Sequence, residues 1–132
     1  MYFNDGDIYD GEWKNDRCDG KGIYYRNSEP GKGDRYEGDW RNDKKEGKGI
    51  VYYHDGARYE GDWRNGKREG KGIYYYHDGS RYEGDWRNDK TEGKGIMYYN
   101  DGDREMGDYY NGMAKGKSVM LTNNGEVKIN YY

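Results

Sequence analysis

The sequence has 132 residues, which is the length of one small domain. Only 31% of the residues are hydrophobic and 37% are charged, but aromatic residues make up 17%, and disordered segments contain few of them. No apolar run approaches the roughly 20 residues of a membrane-spanning helix, and the abundance of glycine disfavours a helical bundle. The net charge of −3 provides no basic surface for nucleic acid.

The beginning of the chain and its cysteine content indicate a compartment. The first residues lack the basic and apolar regions of a signal peptide. Cys18 is the single cysteine, so no internal disulfide can form. We therefore expect a cytoplasmic protein. The segment from Tyr2 to Gly6 matches the segment from Tyr98 to Gly102, so the chain begins within a repeat. This leaves open a longer array or a first strand that awaits a partner.

A repeat of 23 residues organises the chain from Tyr9 onwards, and we expect residues 1–132 to form a single repeat array. Its units begin near Tyr9, Tyr36, Tyr59, Tyr82 and Glu105. The first interval is four residues longer and contains the only proline, which predicts a loop insertion over residues 26–35. The last residues, 123–132, keep the spacing but lose the glycine, and we expect them to be a degenerate C-terminal cap.

Each unit contains the pattern of a β-hairpin. The segment from Tyr59 to Trp63 alternates between two faces, as a strand does, and the glycine-containing segment from Gly70 to Tyr76 predicts a second strand. Asp78-Gly79 then separates the unit from the next, and we expect a tight turn in which both residues take positive φ. Hairpins joined in this way form one antiparallel meander.

The motif Tyr-x-Gly-x-Trp followed by Gly-x-Gly at a 23-residue period resembles the MORN (membrane occupation and recognition nexus) repeat family. The units at Tyr36 and Tyr59 match in full, whereas the last unit carries Glu105, Tyr109 and Ser118 in place of tyrosine, tryptophan and the second glycine. The resemblance implies an all-β, elongated, twisted antiparallel β-meander of tandem hairpins. It also implies a non-catalytic protein in a cytoskeletal, ciliary or membrane-associated assembly.

Alternation along the strands places the tyrosines, the tryptophans and the glycines on one face. We expect the Trp63 ring to stack over Gly70 or Gly72 of its own hairpin. The aromatic face is a core for a single-layer sheet, and where it stays exposed it is a groove that suits a peptide or a helix. The candidate residues of this groove are Tyr36, Trp40, Tyr53, Tyr59, Trp63, Tyr76, Tyr82, Trp86 and Tyr99.

The opposite face has a second apolar row. Either long charged side chains cover this row, or the row packs against a partner or a second copy of the chain. A second copy would make the protein a homo-oligomer, by face packing or by edge packing. The candidate contact residues are Ile50, Tyr52, Ile73, Tyr75, Ile96 and Tyr98.

One lysine also recurs in every unit. Acidic residues interleave with this row, which favours a self-neutralising charged face over a membrane-binding surface. The lysines that would bind phospholipid in the second case are Lys21, Lys48, Lys71, Lys94 and Lys117.

The sequence offers no catalytic, metal or cofactor site. Gly116-Lys117-Ser118 resembles the end of a phosphate-binding loop, but Asn111 stands where that loop requires its first glycine. His54 and His77 lie one repeat apart, about 9.6 Å, which is too far for one shared metal ion. The sequence therefore predicts a non-catalytic scaffold that binds proteins or assembles with itself. The alternatives are a phospholipid-binding module and a targeting module of a larger enzyme.

Overall fold

The computed structural model describes residues 1–3, 5–27 and 32–132. They form one open antiparallel sheet of 11 strands in sequence order, which confirms the predicted meander of hairpins. The strands are β1 (Ile8–Lys14), β2 (Arg17–Tyr25), β3 (Arg35–Arg41), β4 (Lys44–Tyr52), β5 (Arg58–Arg64), β6 (Lys67–Tyr75), β7 (Arg81–Arg87), β8 (Lys90–Tyr98), β9 (Arg104–Tyr110), β10 (Met113–Leu121) and β11 (Val127–Tyr131).

The two strands of each hairpin are joined by a two-residue turn that begins with asparagine. In the turn between β5 and β6, Asn65 has φ 49° and Gly66 has φ 80°. Two successive positive φ angles are typical of the type I′ turn, whose twist matches that of the strands. Because this turn is so short, β6 begins at Lys67, three residues before the predicted Gly70.

The turns between repeats differ from the prediction. At Asp78-Gly79 only the glycine takes a positive φ, of 92°. The Gly79 amide donates to the Tyr76 carbonyl at 3.1 Å, and the Tyr76 amide donates to the Ser80 carbonyl at 2.8 Å. This is a three-residue loop with a left-handed last residue, and the Asp78 carboxylate accepts the Ser80 amide at 2.9 Å.

The predicted insertion over residues 26–35 is described only in part, since residues 28–31 lie outside the described residues, as does Asn4. Between β2 and β3, the Arg26 amide donates to the Asp34 carbonyl at 2.8 Å, and the Gly33 amide donates to the Arg26 carbonyl at 2.8 Å. These bonds continue the β2–β3 pairing beyond the strand ends.

The core is a ladder of aromatic rings on one face of the sheet. Tyr59 is fully buried. Its ring makes edge contacts with Trp63 of its own repeat and Trp86 of the next, both at 5.2 Å between ring centroids. Its hydroxyl donates to the Asp62 carbonyl at 2.9 Å. Each tyrosine thus links two repeats, which is how a sheet without a second layer buries apolar area.

The prediction for the tryptophan ring was wrong. The Trp63 indole donates to the Gly49 carbonyl of the preceding hairpin at 3.1 Å. The ring over Gly72 is that of Tyr59, whose hydroxyl oxygen would lie 2.3 Å from a Cβ placed there. Among the described strands no hairpin precedes that of the first repeat, and its Trp13 is 38% exposed.

The last repeat replaces the tyrosine with a buried carboxylate. Glu105 is 4% exposed and accepts hydrogen bonds from Ser118, from Asn130 at 3.1 Å, from Tyr132 at 2.8 Å and from Tyr99 at 2.9 Å. Burial alone would raise the pKa of Glu105, but these four donors together lower it. The predicted cap residues therefore contribute β11 and two of the donors that hold this carboxylate.

Candidate functional site

Most of the aromatic residues predicted to line a groove are core residues. Six of the nine are buried, namely Tyr36, Trp40, Tyr59, Trp63, Tyr82 and Trp86. Tyr53 and Tyr99 are half-buried, and Tyr76 is 39% exposed. The aromatic face therefore offers its rims and the edges of its rings to a ligand, whereas the six core rings mainly stabilise the sheet.

An open groove of about 810 Å³ runs along the aromatic face of the first four repeats. The apolar side chains of its wall include Phe3, Trp13, Tyr24, Trp40, Val51, Tyr53 and Trp63. The charged side chains of its wall include Asp7, Arg26, Asp34, Asp43, Lys45, Arg68 and Asp89. Of the predicted groove residues, this groove contains Tyr36, Trp40, Tyr53 and Trp63, whereas Tyr59, Tyr76, Tyr82, Trp86 and Tyr99 lie outside its wall.

Two cations in the groove were not predicted from the sequence. Lys45 and Arg68 are the second residues of β4 and β6, and both are half-buried on the aromatic face. The Arg68 guanidinium lies 4.5 Å from the centre of the Trp86 ring, and the Lys45 ammonium lies 5.0 Å from the centre of the Trp63 ring. Residues two positions apart in a strand lie on the same face, so the alternation that places Gly47 and Gly70 on the aromatic face also places Lys45 and Arg68 there.

Two aspartates of the groove wall, Asp7 and Asp34, are held by hydrogen bonds from the protein itself. Asp7 accepts hydrogen bonds from the Tyr24 hydroxyl and, at 2.7 Å, from the Asn27 amide. Asp34 accepts the His54 amide at 2.8 Å. Burial and the neighbouring Asp7 raise the pKa of the Tyr24 hydroxyl, which therefore stays protonated and continues to donate.

The opposite face is covered by its own charged side chains. Arg58 lies 4.1 Å from the centre of the Tyr75 ring, and its Nε lies 3.6 Å from Glu60. Ile73 pairs with Glu60 on one side and Glu83 on the other. The same arrangement places Arg35 on Tyr52 and Arg81 on Tyr98. Ile50, Ile73 and Ile96 are consequently half-buried.

The repeated lysines are paired with aspartates of the following repeat. Lys48 contacts Asp62, and Lys94 lies 3.4 Å from Asp108. Lys21 and Lys71 make the same pair with Asp39 and Asp85, and Lys117 lies exposed in the degenerate last unit. Burial alone would raise the pKa of Asp62, but hydrogen bonds from the Lys48 ammonium and the Lys71 amide lower it.

The comparisons with known proteins address the fold and the family. In the described residues, no helix has the length and apolar character needed to cross a membrane.

Among curated proteins, none matches the sequence at a significant level. Among solved structures, the TCP domain of SAS-4 (dCPAP) of Drosophila melanogaster, in complex with a proline-rich motif of Ana2 (dSTIL), is similar in fold. Its TM-score is 0.61 at 17% identity, over 100% of this chain and 70% of that chain.

The family comparison rests on the repeats themselves. The sequence model of the MORN repeat matches residues 9–28, 36–58, 59–81 and 82–104, which together are more than half of the chain. These matches coincide with the four units whose first tyrosine is buried in the core. The chain therefore belongs to the MORN repeat family.

Proposed function

We propose that this chain is a non-catalytic repeat scaffold that binds a segment of a partner protein in the groove on its aromatic face. The observation that carries the proposal is the groove itself, about 810 Å³ with both apolar and charged side chains in its wall. Exposed apolar surface beside a few fixed polar groups is typical of peptide-binding grooves. The MORN repeat is a non-catalytic repeat, and the solved neighbour of similar fold is in complex with a short motif of another protein.

The other two surfaces are weaker candidates. Arginines stack on the tyrosines of the Ile/Tyr face, as Arg58 does on Tyr75, so a second copy of the chain would have to displace them. The lysines of the phospholipid alternative are paired with aspartates, as Lys48 is with Asp62, so a lipid phosphate would have to compete with a carboxylate. A role as the targeting module of a larger enzyme would require catalytic sequence outside these residues.

Selection from a displayed library of random peptides on the intact chain tests the proposal. We expect selected peptides to bind in solution, and Tyr53→Ser to weaken that binding by about tenfold or more, because Tyr53 lies in the groove wall. The matched control is Tyr75→Ser on the opposite face, which should leave binding unchanged. Equal losses from the two variants would contradict the groove as the binding site.

Two further assays separate the alternatives. Sedimentation with anionic vesicles that depends on Lys48, Lys71 and Lys94 would favour the phospholipid module. A molar mass in light scattering above that of one chain, lost in an Ile50→Lys, Ile73→Lys double variant, would favour assembly through the Ile/Tyr face. Cytoplasmic location and association with cytoskeletal or ciliary assemblies stay predictions from the sequence and the family, and imaging of the tagged full chain would test them.

A further inference from the structure

In two repeats the second residue of the second strand, Cys18 or Arg68, is hydrogen-bonded by the aspartate of the next Asn turn, and in two others that turn position is a glycine. Asp43 accepts the Cys18 amide at 2.7 Å, and Asp89 accepts the Arg68 amide at 2.8 Å. At the equivalent place beside Lys45, the turn carries Gly66, which has no side chain.

The Lys45 ammonium therefore lacks the aspartate partner that the Arg68 guanidinium has. In the described part of the chain, no carboxylate oxygen lies within 4 Å of its ammonium, although Arg68 in the next repeat has Asp89 at 3.3 Å. The ammonium instead lies 5.3 Å from the centre of the Tyr36 ring and 5.0 Å from that of Trp63. Burial lowers the pKa of Lys45, an effect that the more distant Asp89 opposes.

Three carboxylates of the groove wall, those of Asp34, Asp43 and Asp89, already accept hydrogen bonds from other groups of the chain. The Asp34 carboxylate accepts the His54 amide at 2.8 Å and lies 3.0 Å from its ring Nδ1. Asp43 and Asp89 hold backbone amides of the strands, as described above. A ligand that reaches Lys45 thus finds these three aspartates engaged, and an ammonium with no carboxylate partner in the described part of the chain. A partly desolvated ammonium gains most from a charge-assisted hydrogen bond to a carboxylate.

We propose that Lys45 binds a carboxylate of the segment that occupies the groove, so that the partner is an acidic peptide with apolar residues on either side of the acid. Apolar side chains of the groove wall receive those residues, among them the half-buried Tyr53 and the edge of the Trp63 ring beside Lys45. The inference rests on the proposed function, because it names the chemistry of the segment that the scaffold binds.

A single substitution can place a carboxylate of the chain itself beside the Lys45 ammonium. Gly66→Asp reproduces the arrangement of Arg68 and Asp89, since Asp89 occupies its turn at φ 68° and Gly66 occupies the equivalent position at φ 80°. A Cβ at Gly66 meets nothing within 4 Å. Gly112→Asp is the matched control, because Gly112 has φ 85° and equally open space. Its amide donates to the carbonyl of Thr91, which stands where Lys45 stands opposite Gly66.

The experiment uses the intact chain and peptides selected from a displayed random library, each synthesised with its acidic residue and with the corresponding amide. We expect selected peptides to be enriched in Asp or Glu, and the amide form to bind about ten- to a hundredfold more weakly. Gly66→Asp should weaken the acidic form by a similar factor and leave the amide form unchanged. Gly112→Asp should bind both forms as the unmodified chain does.

The outcomes separate this inference from the function on which it rests. Two results would refute the inference that Lys45 binds a carboxylate and leave the proposed peptide-binding function intact. They are binding of peptides without acidic residues that depends on Tyr53, and unchanged binding of the acidic form by Gly66→Asp. Equal losses in Gly66→Asp and Gly112→Asp would also refute the inference, because the effect would not be local to Lys45. If no peptide binds the intact chain, both proposals fail.

Discussion

Four of the five repeats contain a Gly-x-Gly motif, and its two glycines are required for different reasons. Gly47 has φ 78°, a left-handed backbone at the bulge where β4 shifts register against β3. Gly49 is needed because the Tyr36 ring lies where its Cβ would be, with the hydroxyl oxygen 2.3 Å away. In the last repeat Ser118 replaces the second glycine, and there the tyrosine is also replaced, by Glu105. The two substitutions are compatible because the Ser118 hydroxyl then donates to the carboxylate.

Gly72→Ala tests the close approach of ring and backbone. The added Cβ would lie 2.3 Å from the Tyr59 hydroxyl oxygen, and Tyr59 is fully buried, so the ring cannot move away into solvent. We expect the free energy of unfolding in urea to fall by about 2–3 kcal/mol, the cost of overpacking a core. Lys71→Ala, on the exposed face of the same strand, should lower it by at most about 1 kcal/mol. Similar losses in both variants would contradict this role of the tyrosine ring.

At the scale of the strand and the turn, the sequence was sufficient for part of the structure. Alternation from Tyr59 to Trp63 correctly gave a strand and its two faces. The partner of Trp63 was predicted incorrectly, because alternation assigns a face but does not tell which neighbouring hairpin lies beneath a ring. Lys45 was missed because the second strand was taken to begin at its glycine, although Asn42-Asp43 already marks the turn. The charge of the groove depends on pairings between repeats, which a single repeat does not reveal.

In four repeats, the residue two positions before the first core residue (the tyrosine, or Glu105 in the last repeat) accepts a backbone amide of the next turn between repeats. The Ser80 hydroxyl accepts the Asn100 amide at 3.2 Å, and the Asp103 carboxylate accepts the Asn123 amide at 2.7 Å. Asp7 and Asp34 do the same for their turns. Ala57 holds the equivalent position and has no acceptor to offer to the amide of His77. The turn at His77 thus lacks the bond that the described residues form at Asn27, His54, Asn100 and Asn123.

Ala57→Ser should supply this bond. Ala57 and Ser80 are equally buried at equivalent positions, at 4% and 5% exposure, so the site accommodates the hydroxyl. We expect the free energy of unfolding to rise by about 1 kcal/mol, the net contribution of one hydrogen bond. Ser80→Ala is the reciprocal control and should lower it by a similar amount. If chemical denaturation shows Ala57→Ser to be neutral while Ser80→Ala is destabilising, the His77 amide does not use an acceptor at this position.

At the scale of the whole molecule, the core consists mainly of tyrosine and tryptophan side chains, and the buried tyrosines make its stability sensitive to alkali. The largest fully buried side chains are Tyr9, Tyr59 and Tyr82. Burial, with smaller contributions from nearby acids, raises the pKa of Tyr9 to about 12, and burial raises that of Tyr59 as well. Each such hydroxyl is protonated in the folded chain at a pH where the unfolded chain, with a tyrosine pKa of about 10, has lost the proton.

The sign of the pH dependence follows from linkage. Because the folded pKa is the higher one, the contribution of these tyrosines is present in full below about pH 10 and is lost as the pH rises towards 12 and beyond. The free energy of unfolding should therefore decrease steeply above pH 10. Tyrosinate absorbance of the buried rings should appear together with the loss of the strand signal in circular dichroism.

Tyr59→Phe measures the share of one ring in this dependence. The variant loses the hydrogen bond to the Asp62 carbonyl, so at neutral pH we expect it to be about 1 kcal/mol less stable. Above pH 10 its stability should fall less steeply than that of the unmodified chain, by up to about 1.4 kcal/mol per pH unit, because one fewer proton is released on unfolding. Tyr110→Phe, at a ring that is 57% exposed, should leave the slope unchanged. If Tyr59→Phe keeps the full slope, the Tyr59 hydroxyl does not contribute to the alkaline instability, and ionisation of other groups must cause it.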